Sequence, residues 1–371
     1  MAKVLLVIGN GFDMKCGLKS SFPQYLSSDF YAPVIERIRS LDEKLSEDLN
    51  YPSDYDGYRV YDKYKISFSD LLFWDLYFGL PHYYEFPNIE EWYSFENKLK
   101  EFVNSVVDDC CEYRDIMEIE RQSVNADSYN NKDYKRKLIL YFYLISIISS
   151  SGGSVRDTLF EQLKMYEKRF GKYIKQIQTN EKNYISNAKD IIDKMLDKST
   201  KDEVAYINSF NYSDLTTIVK DIWHINGNVD NPIFGVDYPK AKPDDYERYR
   251  YTKTYRRLEL HGNESYYPKR KDYSKIVVFG HSLNEQDYSY FYALFNNLNL
   301  GTDRSSTRKG YFVEFVYSKY GDKSSDEVRN ELISRVLKLF YGYNQEILHE
   351  QNYRLIDILF SSGAIRFTEI E

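Results

Sequence analysis

Cysteine is nearly absent: the 371 residues carry only Cys16, Cys110 and Cys111. That excludes a disulfide framework, and no Cys/His spacing suits a structural metal site. A reducing, cytoplasmic setting is expected. The N-terminus enters an apolar run at once, with no basic n-region or signal-type cleavage site, so no export is expected. The longest mainly apolar run, Leu138 to Ile148, is too short to span a bilayer, which argues against a membrane partner. A basic excess is missing as well. The net charge is −7, the opposite of a nucleic-acid binder's footprint. Carboxylate clusters with metal-ligand spacing are missing, so no metal is expected. No repeat at solenoid periods is found.

What is present starts at residue 4. Val4 to Ile8 form a short continuous apolar run, which suits a strand buried on both faces of a parallel sheet. It stops at Gly9-Asn10-Gly11-Phe12-Asp13. Glycines there permit a tight turn and close approach of a ligand to main-chain N–H groups. Strand, glycine turn and helix is the layout of a nucleotide-phosphate site. The bare motif does not decide between a ligand loop and a plain strand-to-helix bend. No Gly-Lys-Ser/Thr follows as in a P-loop, and Gly9, Gly11, Gly17 is not the full dinucleotide fingerprint.

Further along, residues 50–66 read as an irregular insertion. Ile89 to Gln122, Tyr134 to Ser150, Ser154 to Gln178 and Glu181 to Leu196 read as helices. From residue 202 the pattern changes to strands: Val204–Phe210, Asp221–Asn226, Pro232–Val236, Ile276–Phe279, Tyr311–Tyr317 and an edge strand at Ile365–Ile370. Helices are expected at Leu283–Leu298 and Ser325–Tyr341. Tyr238 to Lys275 is charged and poorly periodic, with a lid as one reading. The fold class expected is α/β: a Rossmann-like parallel sheet with a large, mostly helical insertion. The core would comprise 1–29 and 202–371, and the insertion 30–201. The 38 tyrosines and 22 phenylalanines are unusual, but carry no functional reading.

Three polar clusters follow apolar strands: Gly9–Asp13, then Asn211-Tyr212-Ser213-Asp214, then Gly280-His281-Ser282-Leu283-Asn284-Glu285-Gln286-Asp287. In open α/β sheets ligands bind beyond the carboxyl ends of the strands, so parallel neighbours would bring all three to one edge. Ordinary turn chemistry is the competing explanation. Ser282-x-x-Glu285 has the form of a capping box, and a capped helix start also suits a phosphate or a ribose hydroxyl. His224 and Asn226, two apart on a strand, would share a face about 6–7 Å apart, with Gly227 permitting close backbone approach. A structural role for His224 competes with a catalytic one. A carboxylate beside a phosphate would be repelled, so Asp13 is expected to face a ribose, an amide or its own helix.

The residues Ile8-Gly9-Asn10-Gly11-Phe12-Asp13 with Gly17-Leu18, Phe210-Asn211-Tyr212-Ser213, His224-Ile225-Asn226-Gly227, Ile233-Phe234-Gly235-Val236-Asp237 and Phe279-Gly280-His281-Ser282-Leu283 with Asp287 resemble the AbiH family, bacterial proteins associated with abortive infection against bacteriophage. Trp92 and Glu96 resemble its helix motif. More distantly, the pattern is similar to sirtuin-like NAD-binding domains. This resemblance implies NAD as substrate or ligand. Gly9, Asn10, Gly11 and Phe12 would lie over its phosphates. Gly280, His281, Ser282, Asn284 and Asp287 would hold the adenosine half, with Tyr212, Asn226 and Gly227 completing the wall. Asn211, His224 and Asp13 would be catalytic, orienting water or ribose hydroxyls and supplying the base. AbiH relatives usually carry a second histidine where this chain has Asn226, and asparagine accepts no proton at neutral pH. The implied activity is NAD hydrolysis in phage defence. The alternative is a sensor that binds NAD or ADP-ribose without cleaving it. A nuclease or a purely structural protein are the other readings. The expected partners are a small nucleotide and either a second copy or a phage-derived trigger.

Overall fold

The computed structural model describes residues 3–49, 68, 70–86, 92–109, 132–150, 154–196, 202–237, 245–261, 268–269, 272–300, 312–348 and 355–371. The central strand is β1 (Lys3–Ile8), and every residue from Val4 to Ile8 is at most 1% exposed. It pairs in parallel with β2 (Glu203–Ser209) on one side and β4 (Lys275–Phe279) on the other. β3 (Ile222–His224), β5 (Phe312–Tyr317) and β6 (Ile365–Glu369) extend the sheet, in parallel, to the order β3-β2-β1-β4-β5-β6. This is the order of a doubly wound, Rossmann-like sheet, in which the winding direction reverses between β1 and β4.

Helices α1 (Asn10–Lys15), α2 (Phe22–Leu26), α3 (Ala32–Leu49), α4 (Phe73–Tyr83), α5 (Trp92–Asp109), α6 (Lys132–Ser150), α7 (Val155–Asn180) and α8 (Tyr184–Met195) separate β1 from β2. Then come α9 (Tyr246–Tyr249), α10 (Lys253–His261), α11 (Tyr288–Asn297), α12 (Ser325–Tyr343) and α13 (Leu355–Ser361). Strand alternation assigns the two faces. Leu5, Val7, Ile276 and Val278 pack with Phe291, Phe295, Val336 and Leu359 of α11 to α13. Val4, Leu6, Ile8, Val277 and Phe279 pack with Phe12 and with Tyr184, Ala188, Ile191 and Ile192 of α8. Continuous rather than alternating apolarity is what two covered faces require.

Helices α2 to α7 build a separate core, rich in aromatic rings. Phe95 lies 4.4 Å, ring centre to ring centre, from both Phe22 and Phe78. Trp74 is fully buried and donates its Nε1–H to the Leu159 carbonyl at 2.8 Å. Much of the unusual aromatic content is thus packing material. Among the described residues no helix is long and apolar enough to cross a membrane.

Two sequence expectations give way here. Pro232–Val236 joins no sheet; Val236 makes a single bridge with Thr252. Its N–H donors go elsewhere: Ile233 to Asn226 O at 2.7 Å, and Phe234 to the Glu167 carboxylate at 2.7 Å. The helix expected from Leu283 begins at Tyr288, after a short 3-10 turn at Glu285–Asp287. Leu283 sits at φ +52°, which no right-handed helix can hold, and Asn284 rather than Ser282 precedes the turn. Residues 50–66, Cys110 and Cys111 lie outside the described residues, as do 238–244 of the expected lid.

Candidate functional site

The end of β1 is locked to the end of β4. Gly9 N donates to Phe279 O at 3.1 Å, Gly11 N to Gly280 O at 2.8 Å, and Phe12 N to Gly9 O at 2.8 Å. A Cβ on Gly9 would stand 2.6 Å from the His281 Cα, and one on Gly280, at φ +68°, 2.2 Å from the Phe12 nitrogen. Glycine is required at both turns because two backbones touch. The N–H groups that a phosphate cradle would use at Gly9, Gly11 and Phe12 are engaged by protein carbonyls.

β2 lies on the other side of β1, so the three strand-end clusters do meet. A cavity of about 640 Å³ opens above them, within the roughly 300–1,000 Å³ usual for small-molecule sites. It is lined by Gly9, Asn10, Gly11, Asp13, Asn211, Tyr212, Asn226, Gly280, His281, Ser282 and Asp287. Phe12, His224, Gly227 and Asn284 are not among its lining. Phe12 is fully buried edge-on against Phe279. Gly227, at φ +79°, turns the chain after β3. Asn284 precedes the 3-10 turn. A larger cavity of about 1180 Å³, lined by Tyr288, Tyr292 and Tyr341 among others, takes in Glu285 and Gln286 from the far end of the third cluster but no residue of the first two.

Asp13 is 1% exposed. Its Oδ1 accepts from Tyr184 Oη at 2.8 Å and from Ser213 Oγ at 2.9 Å. Burial pushes its carboxyl up to about 6, against the opposing hydrogen bonds of Tyr184, Ser213 and Asn211. Asn211 donates Nδ2 to Gly9 O at 3.0 Å, tying β2's end to the glycine turn. His224 Nδ1 lies 3.0 Å from Asn211 O; a carbonyl only accepts, so that nitrogen carries the proton. β3 stops at His224, so the two-residue alternation does not carry through to Asn226.

Beside them lies a buried ion network. Lys253 Nζ is 2.6 Å from Glu96 Oε1 and 2.7 Å from Asp287 Oδ1. Arg257 donates to Ile225 O and to Asn226 Oδ1, both at 3.1 Å. His281 Nδ1 accepts the Leu283 N–H at 2.9 Å, which leaves Nε2 to face Asp287 Oδ2 at 3.5 Å. Burial opposes ionisation of Asp287, but Lys253, His281 and Arg257 overcome it and hold its carboxyl well below the usual range. Glu96 is raised, first by burial and then by the charge on Asp287. Next to this network Arg256 grips Glu167 through two bonds of 2.9 and 2.7 Å. Helix α10 is thereby fixed by three buried cations, in the stretch for which a lid was one reading.

Sequence pattern alone did not single out these cations, although the signal is present: Lys253, Arg256 and Arg257 stand at i, i+3 and i+4, one face of a helix. The other unforeseen wall is Tyr317, Ser318, Lys319 and Arg335, from the end of β5 and from α12.

Comparison with curated proteins and with solved structures gives no match. A family model described as bacteriophage abortive infection AbiH matches residues 5–307, which include all three strand-end clusters and the helices α5 and α10 that carry Glu96 and Lys253. The chain belongs to the bacteriophage abortive infection AbiH family.

Proposed function

We propose that this protein acts in phage defence by binding NAD in the cavity between β1, β2 and β4 and cleaving its N-glycosidic bond to nicotinamide and ADP-ribose. The observation that carries this reading is the meeting of the three strand-end clusters in one cavity of ligand size, at the point where the sheet's winding reverses.

The pyridinium of NAD leaves without protonation, so no strong general acid is needed. What the site must supply is a positioned water and stabilisation of an oxocarbenium-like ribose. Asp13 suits the first of these roles. It lines the cavity, and its carboxyl is raised to about 6, near the pH at which a base works best. Asn211 sits on the same hydrogen-bonded group and would orient water or a ribose hydroxyl. His224 would act through Asn211, whose carbonyl it holds. Incubation of the purified protein with NAD, with and without phage components, tests the reading through nicotinamide release; none under either condition counts against it.

Binding without turnover is the second reading. Asn226 stands where the family usually has a second histidine, and the ring of His224 is outside the cavity lining. Tight calorimetric binding of NAD or ADP-ribose without nicotinamide release would favour it.

A further inference from the structure

A nucleotide's diphosphate needs donors and positive charge, and the glycine turns offer little of either. The N–H groups of Gly9, Gly11 and Phe12 are engaged by carbonyls. Positive charge for such recognition has to come from the cationic side chains of the cavity. Its carboxylates among the described residues, Asp13, Asp287 and Glu331, are all committed. Asp13 accepts from Tyr184 and Ser213. Asp287 is paired with Lys253. Glu331 accepts from Lys323 at 2.7 and 2.9 Å and from Tyr320 Oη at 3.0 Å.

The cations differ. Lys15, Lys319 and Arg335 line the same cavity and are solvent-exposed or partly so. Among the described residues neither Lys15 nor Lys319 has a carboxylate partner. Arg335 stands 3.8 Å from Glu331, which Lys323 already holds more closely. In a chain of net charge −7, a cavity in which cations offset Asp287 and Glu331, Asp13 lies buried beneath two hydroxyls, and Lys15 and Lys319 keep their charge uncompensated will draw anions to the lysine side. Ser318, 8% exposed and next to Lys319, adds a hydroxyl to this lining. Lys319 and Arg335 lie beyond residue 307, where the family match ends, and Lys15 lies within it.

We propose that Lys319 and Arg335, with Lys15, form the anion-binding wall of the cavity and hold the diphosphate of a nucleotide, the glycine turns serving as its rigid floor. The identity of the nucleotide rests on the reading above; the preference for a diphosphate rests on the charges.

Calorimetry on the full chain at low ionic strength tests this with inorganic pyrophosphate, ADP, ADP-ribose and the phosphate-free adenosine. The variant is the double substitution Lys319→Gln, Arg335→Gln, at positions exposed and half-exposed respectively, with its melting temperature as a control. The expected result is binding of the three anions that weakens with salt, and a loss of roughly tenfold or more in the variant. Adenosine binding should not change between the two proteins. Failure of all three anions to bind the unaltered protein, or equal affinity in the variant, overturns the wall. Pyrophosphate and ADP binding that the variant loses, without any NAD binding or nicotinamide release, supports the wall and removes the NAD reading. NAD cleavage indifferent to both substitutions overturns the wall and leaves that reading standing.

Discussion

Arg257 donates to Asn226 Oδ1 at 3.1 Å. A guanidinium has no acceptor, so the amide oxygen is turned towards it and the amide nitrogen is left for the cavity that Asn226 lines. Asn226→Asp keeps an acceptor for Arg257 and adds an ion pair, but removes the N–H. The expected outcome is an equal or higher melting temperature together with roughly tenfold weaker binding of ADP-ribose. Thermal unfolding and calorimetry read the two effects separately. Undiminished affinity would leave Asn226 a packing role alone.

Asp13 links stability to pH. Its folded carboxyl, near 6, lies above its ordinary 3.8. The folded state therefore holds that proton more tightly than the unfolded chain. The stabilising contribution is complete below about pH 4 and is lost as pH rises through about 6, leaving a penalty of roughly 2–3 kcal/mol at pH 8. Asp13→Asn still offers Oδ1 to Tyr184 and Ser213 but cannot ionise. Urea denaturation at pH 5 and pH 8 should show the variant gaining stability at the higher pH. Nicotinamide release, if the chain cleaves NAD, should be abolished by the same change. Stability rising while activity falls is the signature of a carboxylate kept for chemistry rather than for the fold.

Lys253 is the only cation within 3 Å of both Glu96 and Asp287 among the ion pairs of the described residues. Lys253→Ala leaves two buried carboxylates facing each other, and the expected loss is about 3–5 kcal/mol. Adding Glu96→Gln should recover part of it, because Glu96 is already disfavoured as an anion by burial and by Asp287. A denaturation cycle over the two single variants and the double gives the coupling. Strictly additive effects would mean that the triad does not act as a unit.

How much of this could be read from the sequence depended on the range of the interaction. β1 and β4 were legible because burial on both faces writes itself as an unbroken apolar run, Val4–Ile8 and Ile276–Phe279. The convergence of three clusters followed from strand-end placement alone. Pro232–Val236 has the composition of a strand, yet its N–H of Phe234 is claimed by Glu167, a partner on a distant helix that no local pattern reveals. Lys253 and Arg257 fell in a stretch that read only as charged and poorly periodic, for the same reason: their partners Glu96, Ile225 and Asn226 come close only once the helical segment folds back on the sheet. Gly9 and Gly11 were legible as special positions, but not as contacts to a second glycine turn, at Gly280, far along the chain.

That glycine contact supplies the last prediction. Gly280→Ala would bring a Cβ within 2.2 Å of the Phe12 nitrogen and 2.7 Å of the Gly11 carbonyl carbon, at φ +68°. Backbone cannot step aside as a flexible side chain can. Gly321 has a similar φ of +56° but nothing within 4 Å of the added atom. Gly321→Ala therefore measures the conformational strain by itself, about 1 kcal/mol. Gly280→Ala carries that strain plus the clash, and should cost at least about 2 kcal/mol more by chemical denaturation. The same substitution should weaken ADP-ribose binding, since parting the two turns shifts Asn211, which bonds to Gly9 O, and with it the cavity floor. Equal costs at the two glycines would show that the turns can separate without loss, and the rigid floor would no longer explain why glycine stands at 9, 11 and 280.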